Sequence, residues 1–168
     1  LYKTKKLSRG GDKKLKIDEN SILIIRGCGP VGYPGSEEVV NMQPPDRLLK
    51  KGITHLPTLG DGRQSGTSES PSILHVSPES AVGGDLGIVK TGDKMKIDLN
   101  KRRVDLLISQ SEFKKRRKNK KLFKANNQTP WQEIFRDTVG QLEDGACINS
   151  RGNYLDVSNK KGLPRNSH

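Results

Sequence analysis

Nine consecutive residues, Gly60-Asp61-Gly62-Arg63-Gln64-Ser65-Gly66-Thr67-Ser68, put three hydroxyls, a guanidinium and a carboxylate among three glycines. The glycines tolerate positive φ and let a substrate come close to the backbone. Arg63 suits a planar clamp on a carboxylate, or equally a brace on its own loop. Ser65 and Thr67 fall on a tight turn where a strand ends. The same composition suits an ordinary Gly/Ser surface turn, and composition alone does not choose between the two. Phosphate cradling is excluded by spacing: there is no G-x-x-x-x-G-K-[ST], and Gly60, Gly62 and Gly66 miss G-x-G-x-x-G by one residue.

The elements that must carry this stretch are short. An apolar run at 53–59 predicts the strand that delivers it, and Ile22-Leu23-Ile24-Ile25 predicts a buried strand that runs into the Gly-Pro loop 27–35. Residues 34–40 predict a short helix carrying Glu37 and Glu38, and 45–51 a second with Leu48 and Leu49 on one side. A strand is expected at 72–76, then a single turn capped by Ser77, begun by Pro78 and stopped by Gly83-Gly84. Residues 86–90, 94–98 and 103–108 read as a meander of three strands. Ser109-Gln110-Ser111-Glu112 is a capping box that starts a helix. Thr129, Pro130 and Gln132 start the last helix, on which Trp131, Ile134, Phe135, Val139 and Leu142 form an apolar docking stripe. The fold class expected is α/β: a mixed, β-barrel-like domain of short strands with a few helices, plus a C-terminal helix and tail. The expected division is a basic linker at 1–20, the barrel-like domain at 21–112, a basic linker at 113–128, and a helix and tail at 129–168 that complete the domain.

A net charge of +12 invites a nucleic-acid reading, so its location matters. Residues 1–20 carry seven Lys/Arg against three Asp/Glu, and 113–124 carry eight against none. Of 31 basic and 19 acidic residues, fifteen and three lie in those stretches, leaving sixteen of each elsewhere. The basic run lacks interleaved aromatics, zinc ligands and a helix-turn-helix pattern, which argues against nucleic acid as a partner. No apolar run approaches the roughly 18 residues of a membrane span, and no hydrophobic stretch follows the first lysines, so a soluble, cytoplasmic protein is expected. Cys28 and Cys147 stand far apart and read as two reduced thiols. His55 and His75 have no acidic partner at ligand spacing and read as satisfied or surface side chains. Leu1 in place of methionine suggests a fragment, a processed product or an omitted upstream part.

Asp61-Gly62-Arg63-Gln64-Ser65-Gly66-Thr67-Ser68 resembles the D-G-R-x-S-G-x-S signature of the dihydroxy-acid and sugar-acid dehydratases, the family that includes 6-phosphogluconate dehydratase. Two further stretches agree in order. Arg26-Gly27-Cys28-Gly29-Pro30-Val31-Gly32-Tyr33-Pro34-Gly35 with Glu38 is similar to the family's Gly-Pro loop and its acid, and Ser77-Pro78-Glu79-Ser80-Ala81-Val82-Gly83-Gly84 resembles S-P-E-A-A-x-G-G. The ending, from Thr129-Pro130-Trp131 to Gly162-Leu163-Pro164-Arg165 and His168, is similar to the aldonate branch. The likeness is to the family's C-terminal domain, of swivelling-domain type.

That resemblance implies removal of water from a small 2,3-dihydroxy acid, an aldonate such as a pentonate ahead of a branched-chain acid, to give a 2-keto acid. It implies Mg²⁺ and an iron-sulfur cluster, 2Fe–2S or 4Fe–4S, in the complete enzyme, with the cluster cysteines and a modified lysine in an N-terminal domain this chain lacks, and a homo-oligomer once complete. Ser65 corresponds to the base that takes the C2 proton, Glu38 to a Mg²⁺ ligand, and Thr67 to a substrate hydrogen-bonding residue. Arg63 and His168 are candidates to hold substrate, and Asp61 is read as structural. Cys28 is not assigned to iron. The rival expectations are a stand-alone basic nucleic-acid-binding module and an inactive truncated family member.

Overall fold

The computed structural model describes residues 16–35, 38–40, 44–65, 71–121 and 126–149. Three small sheets make its frame. Strand β1 (Leu23–Ile25) pairs in parallel with β3 (Thr58–Gly60), which pairs in parallel with β5 (Ser72–Ile73), so β3 is central. β1 is a continuous Leu-Ile-Ile run rather than an alternating one, with Ile25 buried and Leu23 and Ile24 half-buried. Strand β2 (Glu38–Val40) pairs in parallel with β4 (Arg63–Ser65), and β6 (Met95–Asp98) forms an antiparallel hairpin with β7 (Arg103–Leu106). Among the described residues these sheets do not close into a barrel. The architecture is mixed α/β.

Among the described residues the helices are α1 (Asp46–Leu49), α2 (Gln110–Lys118) and α3 (Pro130–Thr138), with 3₁₀ turns at Ser80–Val82, Asp85–Ile88 and Leu142–Asp144. Leu59, Leu86 and Val89 are buried together, with Ile22, Ile24, Ile73, Val76, Met95 and Leu106 packed around them. This core joins the central strand to the β6–β7 hairpin. Leu48 seats α1 by full burial of its side chain.

Several sequence expectations hold. The strand at 22–25, the two hairpin strands and the loop 27–35 are found, and Leu48 and Leu49 lie on a short helix. Ser109 caps α2 by accepting from the Glu112 amide, and Thr129 caps α3 by accepting from that of Gln132. In the capping box the glutamate does not reach back: Glu112 instead accepts from Arg116 Nε at 2.7 Å.

Others are corrected. The helix expected over 34–40 is a strand at 38–40. Gly35 turns to φ +88, and the β-branched pair Val39-Val40 lies in ladder register with β4. Residues 63–65, expected in a tight turn, are strand β4 for the same pairing. The strand expected at 86–90 is largely the 3₁₀ turn Asp85–Ile88. Its carbonyls meet no neighbouring strand: Arg26 Nη1 donates to Gly87 O and Val89 O at 3.0 and 2.7 Å, and Arg116 Nη1 to Ile88 O at 3.2 Å. The turn after Pro78 begins at Ser80 without a side-chain cap, and Ser77 Oγ is buried without a hydrogen-bond partner. The strands at 53–59 and 72–76 shorten to 58–60 and 72–73.

Within the basic stretch 113–128, Arg116 is not a solvated charge. It forks onto Asp93, with Nη1–Oδ2 at 2.6 Å and Nη2–Oδ1 at 3.0 Å, and both side chains are about nine-tenths buried. Lys120 Nζ donates to Gly84 O at 2.7 Å and to Gly83 O. Arg117 lies 3.3 Å from Asp85. Two of these cations fasten the basic helix and its C-terminal extension to the loops below.

Candidate functional site

The nine-residue stretch begins where β3 ends. Asp61 follows the last strand residue and is completely buried. One carboxylate oxygen accepts from the Cys28 amide at 3.1 Å, and the other from the Gly27 and Ser80 amides at 3.0 and 2.9 Å and from Ser80 Oγ at 2.5 Å. Ser80 Oγ also accepts from the Gly27 amide at 2.8 Å. Backbone N–H groups and the Ser80 hydroxyl satisfy this buried carboxylate in place of a paired cation. Asp61 is thus structural, as expected, and joins the start of the Gly-Pro loop to the S-P-E turn.

Gly62 carries the chain from β3 into β4 by passing against Cys28. A Cβ at this position would lie 2.7 Å from Cys28 Cβ and 3.0 Å from Cys28 O, so a side chain here would push the two loops apart. Cys28 is buried and Cys147 exposed, and the two do not form a disulfide with each other.

The β2–β4 ladder then sets the candidate residues side by side. Glu38 is the register partner of Arg63, and Val40 that of Ser65. Glu38 and Ser65 therefore sit on neighbouring parallel strands two positions apart, a Cα separation of roughly 8 Å for standard strand spacing. Arg63 is exposed. Thr67 and His168 lie outside the described residues. His55 Nδ1 lies 2.7 Å from Thr54 Oγ1, and His75 is exposed at φ +57, so both histidines are the satisfied or surface side chains expected.

Glu79 is the residue that reading the sequence missed. It was visible inside the S-P-E motif, but nothing in its neighbours marked it as buried. It is fully buried and accepts from the amides of Val31 and Gly32 at 2.8 and 2.9 Å and from Gln141 Nε2 at 2.9 Å. Only the three-dimensional approach of the Gly-Pro loop exposes this role.

Among the described residues no group of three or more His, Cys, Asp and Glu could hold a metal ion. Glu38 is a single carboxylate on β2, and Cys28 packs into the loop rather than beside a second thiol. These residues alone do not build a magnesium or cluster site.

Residues 3–146 match the family model "Dihydroxy-acid/6-phosphogluconate dehydratase C-terminal". The chain is 53% identical over 160 residues to D-xylonate dehydratase of Caulobacter vibrioides, covering 95% of this chain and 27% of the relative. It is 49% identical over 105 residues to L-arabinonate dehydratase of Rhizobium leguminosarum bv. trifolii, covering 62% of this chain and 18% of the relative. It is 40% identical over 134 residues to dihydroxy-acid dehydratase of Thermodesulfovibrio yellowstonii, covering 79% of this chain and 24% of the relative. The chain spans about a quarter or less of the length of these relatives. The matched stretch contains all three motifs and the strands that bear them, and the chain belongs to the dihydroxy-acid/6-phosphogluconate dehydratase C-terminal family.

Proposed function

We propose that this chain serves as the C-terminal domain of a hydro-lyase subunit that dehydrates sugar acids of the aldonate class to 2-keto acids. The observation that carries the reading is the parallel pairing of β2 with β4 inside the family motifs, which puts the candidate acid and the candidate base on neighbouring strands. The identities of 53% and 49% to pentonate dehydratases, against 40% to the dihydroxy-acid dehydratase, favour an aldonate over a branched-chain acid.

In this reading Ser65 Oγ takes the proton from C2 as the C3–O bond breaks. The proton taken from C2 is matched by the one that the departing C3 hydroxide takes up to leave as water, an enol forms, and the enol tautomerises to the ketone at C2. An unassisted serine hydroxyl is far too weakly acidic for this, so the role requires strong positive charge beside it. Mg²⁺ would supply that charge together with stabilisation of the substrate carboxylate, and an iron-sulfur centre the Lewis acidity for the departing hydroxide. Glu38 would contribute one hard oxygen ligand to Mg²⁺. Its companions, and the cluster cysteines, belong to the remainder of the subunit. Arg63, on the same strand as Ser65, would hold the substrate carboxylate, and Thr67 and His168 would contribute further hydrogen bonds. The finer fold is of the swivelling-domain barrel type, and the complete enzyme is a cytoplasmic homo-oligomer. Among the described residues no helix is long and apolar enough to cross a membrane.

The test is a subunit in which this chain replaces the matching C-terminal stretch of the Caulobacter vibrioides D-xylonate dehydratase, assayed with aldonates and with branched-chain dihydroxy acids. Formation of 2-keto acid from a pentonate faster than from the branched-chain substrate is the expected result. Absence of turnover with every pentonate, in a subunit that retains its metal centres, contradicts the reading.

A further inference from the structure

We infer that Glu79 is a positioning residue for the Glu38–Ser65 site, and that Arg136 and Gln141 of the C-terminal segment work through the loop Glu79 holds. This rests on the reading of the site given above.

The geometry is a two-sided grip on one short piece of backbone. Glu79 Oε1 and Oε2 accept from the amides of Val31 and Gly32. On the other edge of the same two residues, Arg136 Nε donates to Val31 O at 2.9 Å and Nη2 to Gly32 O at 3.3 Å. Gln141 closes the arrangement: its Nε2 donates to Glu79 Oε1 at 2.9 Å and its Oε1 accepts from the Glu79 amide at 3.0 Å. Residues more than a hundred positions away in sequence thus hold the middle of the Gly-Pro loop.

Gly29 makes this approach possible. A Cβ there would lie 2.4 Å from Glu79 Oε2, inside any allowed contact. Gly27 and Gly35 turn the loop ends at φ +79 and +88; the first end is tied to Asp61 and Ser80, and the grip on residues 31–32 supplies the anchor in the middle of the loop. Six residues beyond Gly32 the chain becomes β2 at Glu38, in register with Arg63 of β4. Anchoring residues 31–32 therefore limits where the strand bearing Glu38, six residues on, can start relative to the strand bearing Ser65. A small error of placement at a reacting centre lowers the rate steeply without abolishing binding.

Two measurements test this, with Arg136→Ala and Gln141→Ala used because Glu79→Gln can fail to fold. In the purified 168-residue chain, amide hydrogen exchange at Val31 and Gly32 is expected to rise by about tenfold or more in both variants, while the β6–β7 amides keep their rates. In the assembled subunit, kcat is expected to fall by about tenfold or more with KM within about threefold, a split that lowered stability alone does not produce. Unchanged exchange at both amides overturns the inference, as does a kcat within about twofold of the unsubstituted subunit once exchange has risen. Ser65→Ala run alongside separates the two levels. Retained kcat in that variant overturns the site reading itself, whereas its loss beside normal kcat in Arg136→Ala and Gln141→Ala overturns only the positioning role.

Discussion

The Gly-Pro loop and helix α2 both depend on charged side chains, but the partners differ in kind. Around the loop, Asp61 and Glu79 are fully buried and accept mainly from backbone amides of Gly27, Cys28, Ser80, Val31 and Gly32. Under α2, Asp93 accepts from one backbone amide, that of Lys90 at 2.7 Å, but is held chiefly by the forked guanidinium of Arg116, which also bonds Glu112. Backbone donors cannot rotate away, so the first arrangement fixes a loop path. A guanidinium on a flexible stem docks one element on another and tolerates adjustment. The region with candidate chemistry has mainly the first kind of support on its amide side, with the Arg136 guanidinium added on the carbonyls of Val31 and Gly32.

The contrast breaks first at Asp61. Asp61→Ala leaves the buried Cys28 amide, the half-buried Gly27 and Ser80 amides and the Ser80 hydroxyl without this acceptor, and is expected to cost about 3 kcal/mol in urea unfolding. A midpoint near that of the unsubstituted chain would show that water replaces the carboxylate and that the loop is not rigidly held.

Arg116→Ala comes next. It strands Asp93 in a nearly buried position, and the thermal midpoint is expected to drop by several degrees, with little of the salt dependence of an exposed pair. The same pairing predicts a pH response. The hydrogen bonds from Arg116 hold the carboxyls of Asp93 and Glu112 below the usual carboxylate range. Folded values that are depressed mean stability fully present above the unfolded values, about 4, and lost as pH falls through the folded ones. Thermal melts across this window are expected to show the gap between the unsubstituted chain and Arg116→Ala narrowing as pH drops. A constant gap would detach the ion pairs from stability.

A smaller effect is expected at Thr129. Its hydroxyl accepts from the Gln132 amide at 3.3 Å, and Thr129→Ala should cost about 1 kcal/mol, confined to α3. Faster amide exchange in α3 with the β6–β7 amides unchanged is the signature. Exchange that rises equally in both would mean that α3 and the hairpin unfold as one unit.

How much of this was legible in the sequence follows from the range of the interactions. Ser109 and Thr129 announced their helices because a cap needs only neighbours three residues away. The hairpin 95–106 was readable for the same reason. The strand at 38–40 was not, because its partner β4 lies 25 residues downstream and parallel pairing leaves no local turn signal. The 3₁₀ turn at 85–88 reads as a strand in sequence because a short apolar run suits either, whereas the distant cations Arg26 and Arg116 occupy the carbonyls of Gly87, Ile88 and Val89. For the site, the motifs named Glu38, Arg63 and Ser65, while the supports Glu79, Arg136 and Gln141 depend on contacts across 48 to 105 residues.

The central claim is that Ser65 is the base of a dehydratase site completed by the rest of the subunit. It is tested most directly by kcat for Ser65→Ala in the assembled enzyme, with metal content measured on the same sample. A turn serine would cost at most about a kcal/mol of stability and leave turnover standing. The account predicts a kcat lowered on the order of a hundred-fold or more, with metal content and KM close to those of the unsubstituted enzyme. A Ser65→Ala enzyme within about threefold of the unsubstituted kcat would contradict it.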